Sequence, residues 1–261
     1  MNDLIAMKAI ASKLVEETRR EDTCSARIES VLASDPALSA KVLRVVNSPY
    51  YGLSRRVKSL SQAIIILGVQ QIRNLAIGVL AYTSMNTRDP RVLQEAKDIW
   101  IHSLETALAA QLVAESMGLE PDSRDDAFLI GLLHEVGRMF MLTQFTGPYL
   151  NLLTEGKIED EEAMVSTFGA TSHQAGALLL NRWKFPDEIC RAVNGMGSPL
   201  DPSPILRAAL AAHELIRDLD AVLPKAAADA GLDAREVAGI RTTVQKTAEE
   251  AGAMYGIASG Y

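Results

Sequence analysis

Aromatic residues are scarce in this 261-residue chain: Phe, Trp and Tyr make up 5% of it. Sheets draw on aromatic and β-branched side chains, whereas the Ala- and Leu-rich remainder suits helices. No stretch alternates apolar and polar residues as a half-buried strand does. Cysteine is nearly absent, and Cys24 and Cys190 form no paired motif. That excludes a disulfide framework and a Cys-x-x-Cys metal or redox site. No apolar run reaches the roughly 18 residues that a bilayer span needs. The richest, 60–82, is interrupted by Gln70, Gln71, Arg73 and Asn74. With no secretory signal at the N-terminus, the expected setting is the cytoplasm, without a membrane and with reduced thiols. Nucleophile-elbow and phosphate-cradling glycine motifs are also missing. Base is outweighed by acid, 26 Lys and Arg against 33 Asp and Glu, for a net charge of −7. That average argues against a general nucleic-acid binder, which needs clustered cations.

What is present is helical periodicity. The spacing predicts helices over 3–20 and 25–33. A third opens at Ser34-Asp35-Pro36, where a capping side chain precedes proline in the first turn, and stops at Asn47–Gly52. Ser59 or Ser61 caps a short helix over 62–67 that Gly68 ends, and another follows over 69–84. Asp89-Pro90 precedes a long helix over 91–117. Residues 122–145 read as one buried helix, broken by Gly147-Pro148. The acidic run Glu159–Glu162 starts the next, with further helices over 171–183, 187–194, 204–219 and 233–255. The expected fold is all-α, an N-terminal helical subdomain (1–88) packed on a second bundle (89–261).

Only four histidines occur: His102, His134, His173 and His213. His134-Glu135 lies in the most apolar segment, where an unpartnered imidazole or carboxylate is costly. Two readings stand. In one, His102, His134 and Glu135 bind a divalent metal from facing helices. In the other, they hydrogen-bond each other and fix the register of the bundle. His173 and His213, taken singly, read as capping or core residues.

Several motifs together resemble the HDOD domain, a helical relative of the HD phosphohydrolases found in bacterial signalling proteins. They are Asp35-Pro36-Ala37-Leu38, Lys41-Val42-Leu43-Arg44, Asn47-Ser48, Ser59-Leu60-Ser61-Gln62-Ala63-Ile64 and Leu67-Gly68. Trp100-x-His102-Ser103, Leu132-Leu133-His134-Glu135-Val136-Gly137, His173-x-x-x-Ala177 and Trp183-x-x-Pro186 extend the match across about 5–220. The resemblance implies an HD-like pocket of His102, His134, Glu135 and His213. It also implies departures from the enzymes: Glu135 stands for Asp, His213 for the last Asp, and Asn194-Gly195 where many relatives carry a histidine pair. The resemblance therefore implies a non-catalytic regulatory module with no catalytic residues and no cofactor; if a metal is held, those four residues hold it. The alternative is an HD-type metal-dependent phosphodiesterase acting on a nucleotide.

Residues 36–81 contain Lys41, Arg44, Arg55, Arg56, Lys58 and Arg73 but no Asp or Glu. The charge faces either the acidic remainder of the chain or an anionic partner. Asn47, Ser48, Tyr50, Tyr51, Arg55, Arg56 and Lys58 are the candidate contact residues. The tyrosines either stack on a base or pack the loop. A signalling protein is the expected partner. A nucleotide messenger and a second copy of the chain are alternatives, and a nucleic-acid-associated regulator using 41–58 is a further reading. No kinase, cyclase or receiver segment is left over in 261 residues, so regulation is expected through intermolecular contact, with helix 233–255 a candidate contact element or a brace.

Overall fold

A computed structural model of the chain describes residues 2–20, 22–47, 51, 53–83, 89–196 and 203–254. Among these residues there are helices and no strand, as the composition requires. Among the described residues no single helix is long and apolar enough to cross a membrane. The chain divides into two compact units: residues 1–84 with 242–261, and residues 85–241. The sequence reading placed 89–261 together; here 242–261 go with the first unit.

The first unit contains α1 (Asn2–Thr18), α2 (Ser25–Ala33), α3 (Pro36–Val46), α4 (Leu60–Leu67) and α5 (Val69–Thr83). Local chemistry sets their ends. Asp35 accepts hydrogen bonds from the amides of Ala37 and Leu38 while Pro36 opens α3, and Ser59 accepts from the amide of Gln62 to cap α4. Gly68, at φ 85°, ends α4, and α5 leaves at 120° to it. α1 to α4 all pack on α5, whose residues 72–80 are buried throughout.

The second unit contains α6 (Pro90–Ser116), α7 (Pro121–Leu133), α8 (Val136–Gln144), α9 (Thr146–Thr154), α10 (Glu161–Phe168), α11 (Ser172–Arg182), α12 (Asp187–Gly195), α13 (Pro204–Arg217) and α14 (Lys225–Asp229). The first turns of α15 (Ala234–Met254) also belong to it. α6, α7 and α13 pack on one another, α8 lies against α6 and α12 against α7 and α13, and α11 packs on α8 and α12. The single helix expected over 122–145 is two helices, divided at His134-Glu135. Glu135 has ψ 9°, which breaks the helical ladder without proline or glycine. Gly147-Pro148 does not leave a gap either; it sits in the first turn of α9, where proline is tolerated.

The packing depends on two glycines. A Cβ at Gly131 would lie 2.7 Å from Cα of Ala107, so α7 meets α6 backbone to backbone. A Cβ at Gly137 would overlap the carbonyl of Ser172, so α8 meets α11 equally closely. The first contact sets the start of the His134-Glu135 turn beside α6, and the second fixes α8 on α11.

Candidate functional site

His102 projects from the middle of α6, His213 from α13, and His134 and Glu135 from the turn between α7 and α8. Their polar atoms converge. His102 Nε2 is 3.3 Å from His134 Nε2 and 3.3 Å from His213 Nδ1. One nitrogen from each of the three rings lies within 4.8 Å of the other two. Glu135 Oε1 is 3.6 Å from His134 Nε2. His134 is wholly buried and Glu135 nearly so, and His102 and His213 are half-buried. The bend at residues 134–135 has a consequence here: consecutive side chains, splayed by about 100° on a continuous helix, reach one point.

The proton inventory is informative. His134 Nδ1 lies 2.7 Å from the Gly131 carbonyl, which only accepts, so Nδ1 carries the hydrogen. Burial, then His102, pushes the His134 pKa well down. Burial lowers that of His102 also, and burial followed by His134 and His102 takes His213 to about 2. All three rings are therefore neutral near pH 7. His134 Nε2 must then present a lone pair. His102 Nε2 has at most one hydrogen to share between two neighbours, each beyond the usual N–H···O distance of about 3.0 Å. At best that one hydrogen is shared over two long contacts, so hydrogen bonding within the trio is weak. Glu135 Oε2 is likewise buried with no hydrogen-bond partner.

These donors fit a divalent transition metal. Tetrahedral zinc–imidazole bonds of about 2.0–2.1 Å put adjacent nitrogens about 3.3 Å apart. Two edges of the trio already have that length. Imidazole and carboxylate form a donor set suited to Zn, Fe, Ni or Mn.

A cavity of about 220 Å³ opens beside the histidines, lined in part by Glu95, Asp98, His102, Glu135, Arg138, Glu159, His213 and Arg217. Arg138 is its most constrained group. It donates to the Tyr149 hydroxyl at 2.8 Å, to Glu159 at 2.6 Å and to Glu95 at 3.2 Å. Tyr149 in turn donates to Glu95 at 2.7 Å. Burial opposes the Arg138 charge, yet Glu135, Tyr149 and Glu159 outweigh it and hold its pKa above the usual arginine range. Burial raises the Tyr149 hydroxyl. Arg217 faces Glu159 at 3.5 Å.

Sequence reasoning found the four central residues but missed this surrounding shell. Glu95, Asp98 and His102, spaced i, i+3, i+7, share one face of α6, and His213 and Arg217 are one turn apart on α13. His173 is half-buried and is not the cap: Thr171 caps α11, and the His173 ring stacks on His134 with centroids 6.5 Å apart.

The described candidate contact residues belong to the first unit. Asn47 turns inward as a clamp, donating to the Leu43 and Val57 carbonyls and accepting from the Val57 amide. Tyr51 is half-buried. Ser48 and Tyr50 lie outside the described residues. Arg55, Arg56 and Lys58 are exposed, whereas Arg73 is 1% exposed and donates to Asn74, so it adds nothing to a surface charge.

The HDOD domain family matches residues 4–199. An uncharacterized protein of Treponema pallidum is 26% identical over 231 residues, covering 82% of this chain and 43% of that protein. The cyclic di-GMP phosphodiesterase CdgJ of Vibrio cholerae is 32% identical over 124 residues, 47% of this chain and 27% of that protein. The chain thus spans less than half the length of the curated relatives it matches. Among solved structures, an HDOD domain protein with unknown function from Geobacter sulfurreducens superposes with a TM-score of 0.76 at 22% identity, covering 94% of this chain and 91% of that one. That likeness is one of fold.

Proposed function

This chain belongs to the HDOD domain family, and from that membership we propose a signalling module whose second unit holds a divalent transition metal and which acts by binding rather than hydrolysis. The observation that carries the reading is the convergence of three neutral imidazole nitrogens linked only by two long 3.3 Å contacts, beside a buried carboxyl oxygen without a partner. His102, His134 and His213 are the ligands, with Glu135 beside them. A bound ion supplies Lewis acidity and a cross-link between helices. The Gly131 carbonyl fixes the His134 tautomer that leaves Nε2 available, as outer partners of ligating histidines do.

The rim of the cavity argues against phosphodiester turnover. Enzymes that cleave phosphate esters aim free cationic donors at the developing charge. Arg138 is fully engaged by Tyr149, Glu159 and Glu95, and Arg217 faces Glu159. Glu95, Asp98, Glu135 and Glu159 make the surroundings acidic, a setting for a cation.

The test is a titration of the full chain with Zn²⁺ and Mn²⁺, run beside an assay with bis-p-nitrophenyl phosphate and a cyclic dinucleotide. The expected result is about one ion per chain, lost in His134→Ala, with no turnover above that of the metal in buffer. Turnover that disappears in His134→Ala makes the chain a hydrolase. No uptake by a folded wild type leaves the histidines as a hydrogen-bonded core.

A further inference from the structure

We propose that the first unit carries a docking surface for an acidic partner protein, formed by the cations before α4 and the outward face of α4 itself. The backbone there is held rigidly. The Asn47 side chain pairs with both the amide and the carbonyl of Val57, at 2.7 and 2.9 Å, and Val57 is buried. The Lys58 amide donates to Gln62 Oε1 at 3.0 Å, and Ser59 caps the helix. Pinned on both sides of Val57, the segment turns Arg55, Arg56 and Lys58 into solvent.

Those side chains have no counter-charge. Among the described residues none of the three makes an ion pair or a side-chain hydrogen bond, and the same holds for Lys41 and Arg44 on α3. Arg20, Arg27, Arg91, Arg124 and Arg138, by contrast, each pair with an acid. No Asp or Glu occurs anywhere in 36–81 to quench them.

An apolar element adjoins the charge. Ile65 is 79% and Ile66 46% exposed, on the side of α4 opposite the buried Leu60, Ala63 and Ile64. Residues 62, 65 and 66 are neighbours on a helix surface, so the isoleucines continue from Gln62, which holds Lys58. Two adjacent exposed isoleucines flanked by unpaired cations have the composition of a protein interface, an apolar centre with a polar rim. A nucleic acid would use the cations and leave the isoleucines idle. The partner is therefore a protein presenting apolar side chains among Asp and Glu.

This surface goes beyond the metal reading, and metal uptake by the second unit can fail without touching it. The probe is a fluorescein-labelled amphipathic peptide of about 20 residues with Leu on one face and Glu on the other, long enough to form helix. Its anisotropy is read against the full chain at about 50 mM and about 500 mM salt, spanning strong and weak screening. Duplex DNA, anionic vesicles and a concentration series of the chain alone run in parallel. Binding at low salt is expected, weakened roughly tenfold by Arg55→Ala with Arg56→Ala and Lys58→Ala. Ile65→Ser with Ile66→Ser is expected to weaken it as well, at either salt concentration. All five positions are exposed, so an unchanged melting temperature confirms the fold; the single charge reversal Arg56→Glu is the second variant should the triple one melt early. The proposal is overturned by no peptide binding at low salt, or by binding indifferent to the isoleucines. It is equally overturned if DNA or vesicles bind through these residues more tightly than the peptide, or if the same variants abolish self-association, which makes a second copy the occupant.

Discussion

His134 has one nitrogen committed and one available. Its Nδ1 hydrogen goes to the Gly131 carbonyl, which sets the opposite lone pair toward His102. His134→Ala deletes a wholly buried ring and orphans that carbonyl. We expect it to abolish metal uptake and to cost about 1–3 kcal/mol in denaturant unfolding. Glu135→Gln separates the two roles. It removes a buried carboxylate that also supports the Arg138 charge, so the metal-free protein should lose some stability while keeping all three rings, and metal affinity falls roughly tenfold or more. Paired melts with and without chelator read both numbers. His102, His134 and His213 predict a pH dependence for the metal-free protein. Their folded pKa values lie below the ordinary 6.5, for His213 at about 2. Above 6.5 neither state holds the protons, and stability is at its plateau. As pH falls below 6.5, the unfolded chain takes up protons that the folded one refuses, so stability declines. Unfolding at about pH 7.5 and about pH 5 should show that loss, at most about 1.4 kcal/mol per pH unit for each histidine. A flat profile contradicts the buried neutral trio.

The elements of the first unit were legible because their ends carry chemistry: Asp35 before Pro36, Ser59 before α4, Gly68 after it. The turn at residues 134–135 was not. Its flanks are apolar on both sides, and neither residue is a breaker, so periodicity runs straight through it. α9 was hidden by the opposite error, because Gly147-Pro148 reads as a stop although proline fits a first turn. α14, five residues long, is too short to show a period. The turn is held by helix contact, which gives a test at this scale. Gly131→Ala drives a methyl group into Ala107 backbone at 2.7 Å and the Thr106 carbonyl at 2.9 Å. Backbone cannot step aside as a side chain can, so α7 must move off α6. We expect about 1–3 kcal/mol of destabilisation and weakened metal binding, although residue 131 is not a ligand. Wild-type affinity in that variant would mean that the histidines do not depend on this packing. Asp35→Ala serves as the contrast: loss of the α3 cap should cost about 1 kcal/mol and leave metal affinity unchanged.

Across the whole molecule, composition alone was enough for the all-helical class, and family motifs located the four polar residues of the pocket. Neither revealed the Arg138–Tyr149–Glu95–Glu159 network, since its members come from four separate places in the chain that only folding assembles. The average charge of −7 was misleading in a different way, because it conceals unpaired cations in the first unit. Even there the sequence overcounts: Arg73 is buried beside Asn74, and Asn47 is a clamp rather than a contact. The central claim concerns the pocket, and anomalous X-ray diffraction from crystals grown with Zn²⁺ tests it most directly. The account predicts a zinc-edge difference peak bounded by His102 Nε2, His134 Nε2 and His213 Nδ1. Absence of that peak, with the two 3.3 Å nitrogen contacts intact, would contradict it.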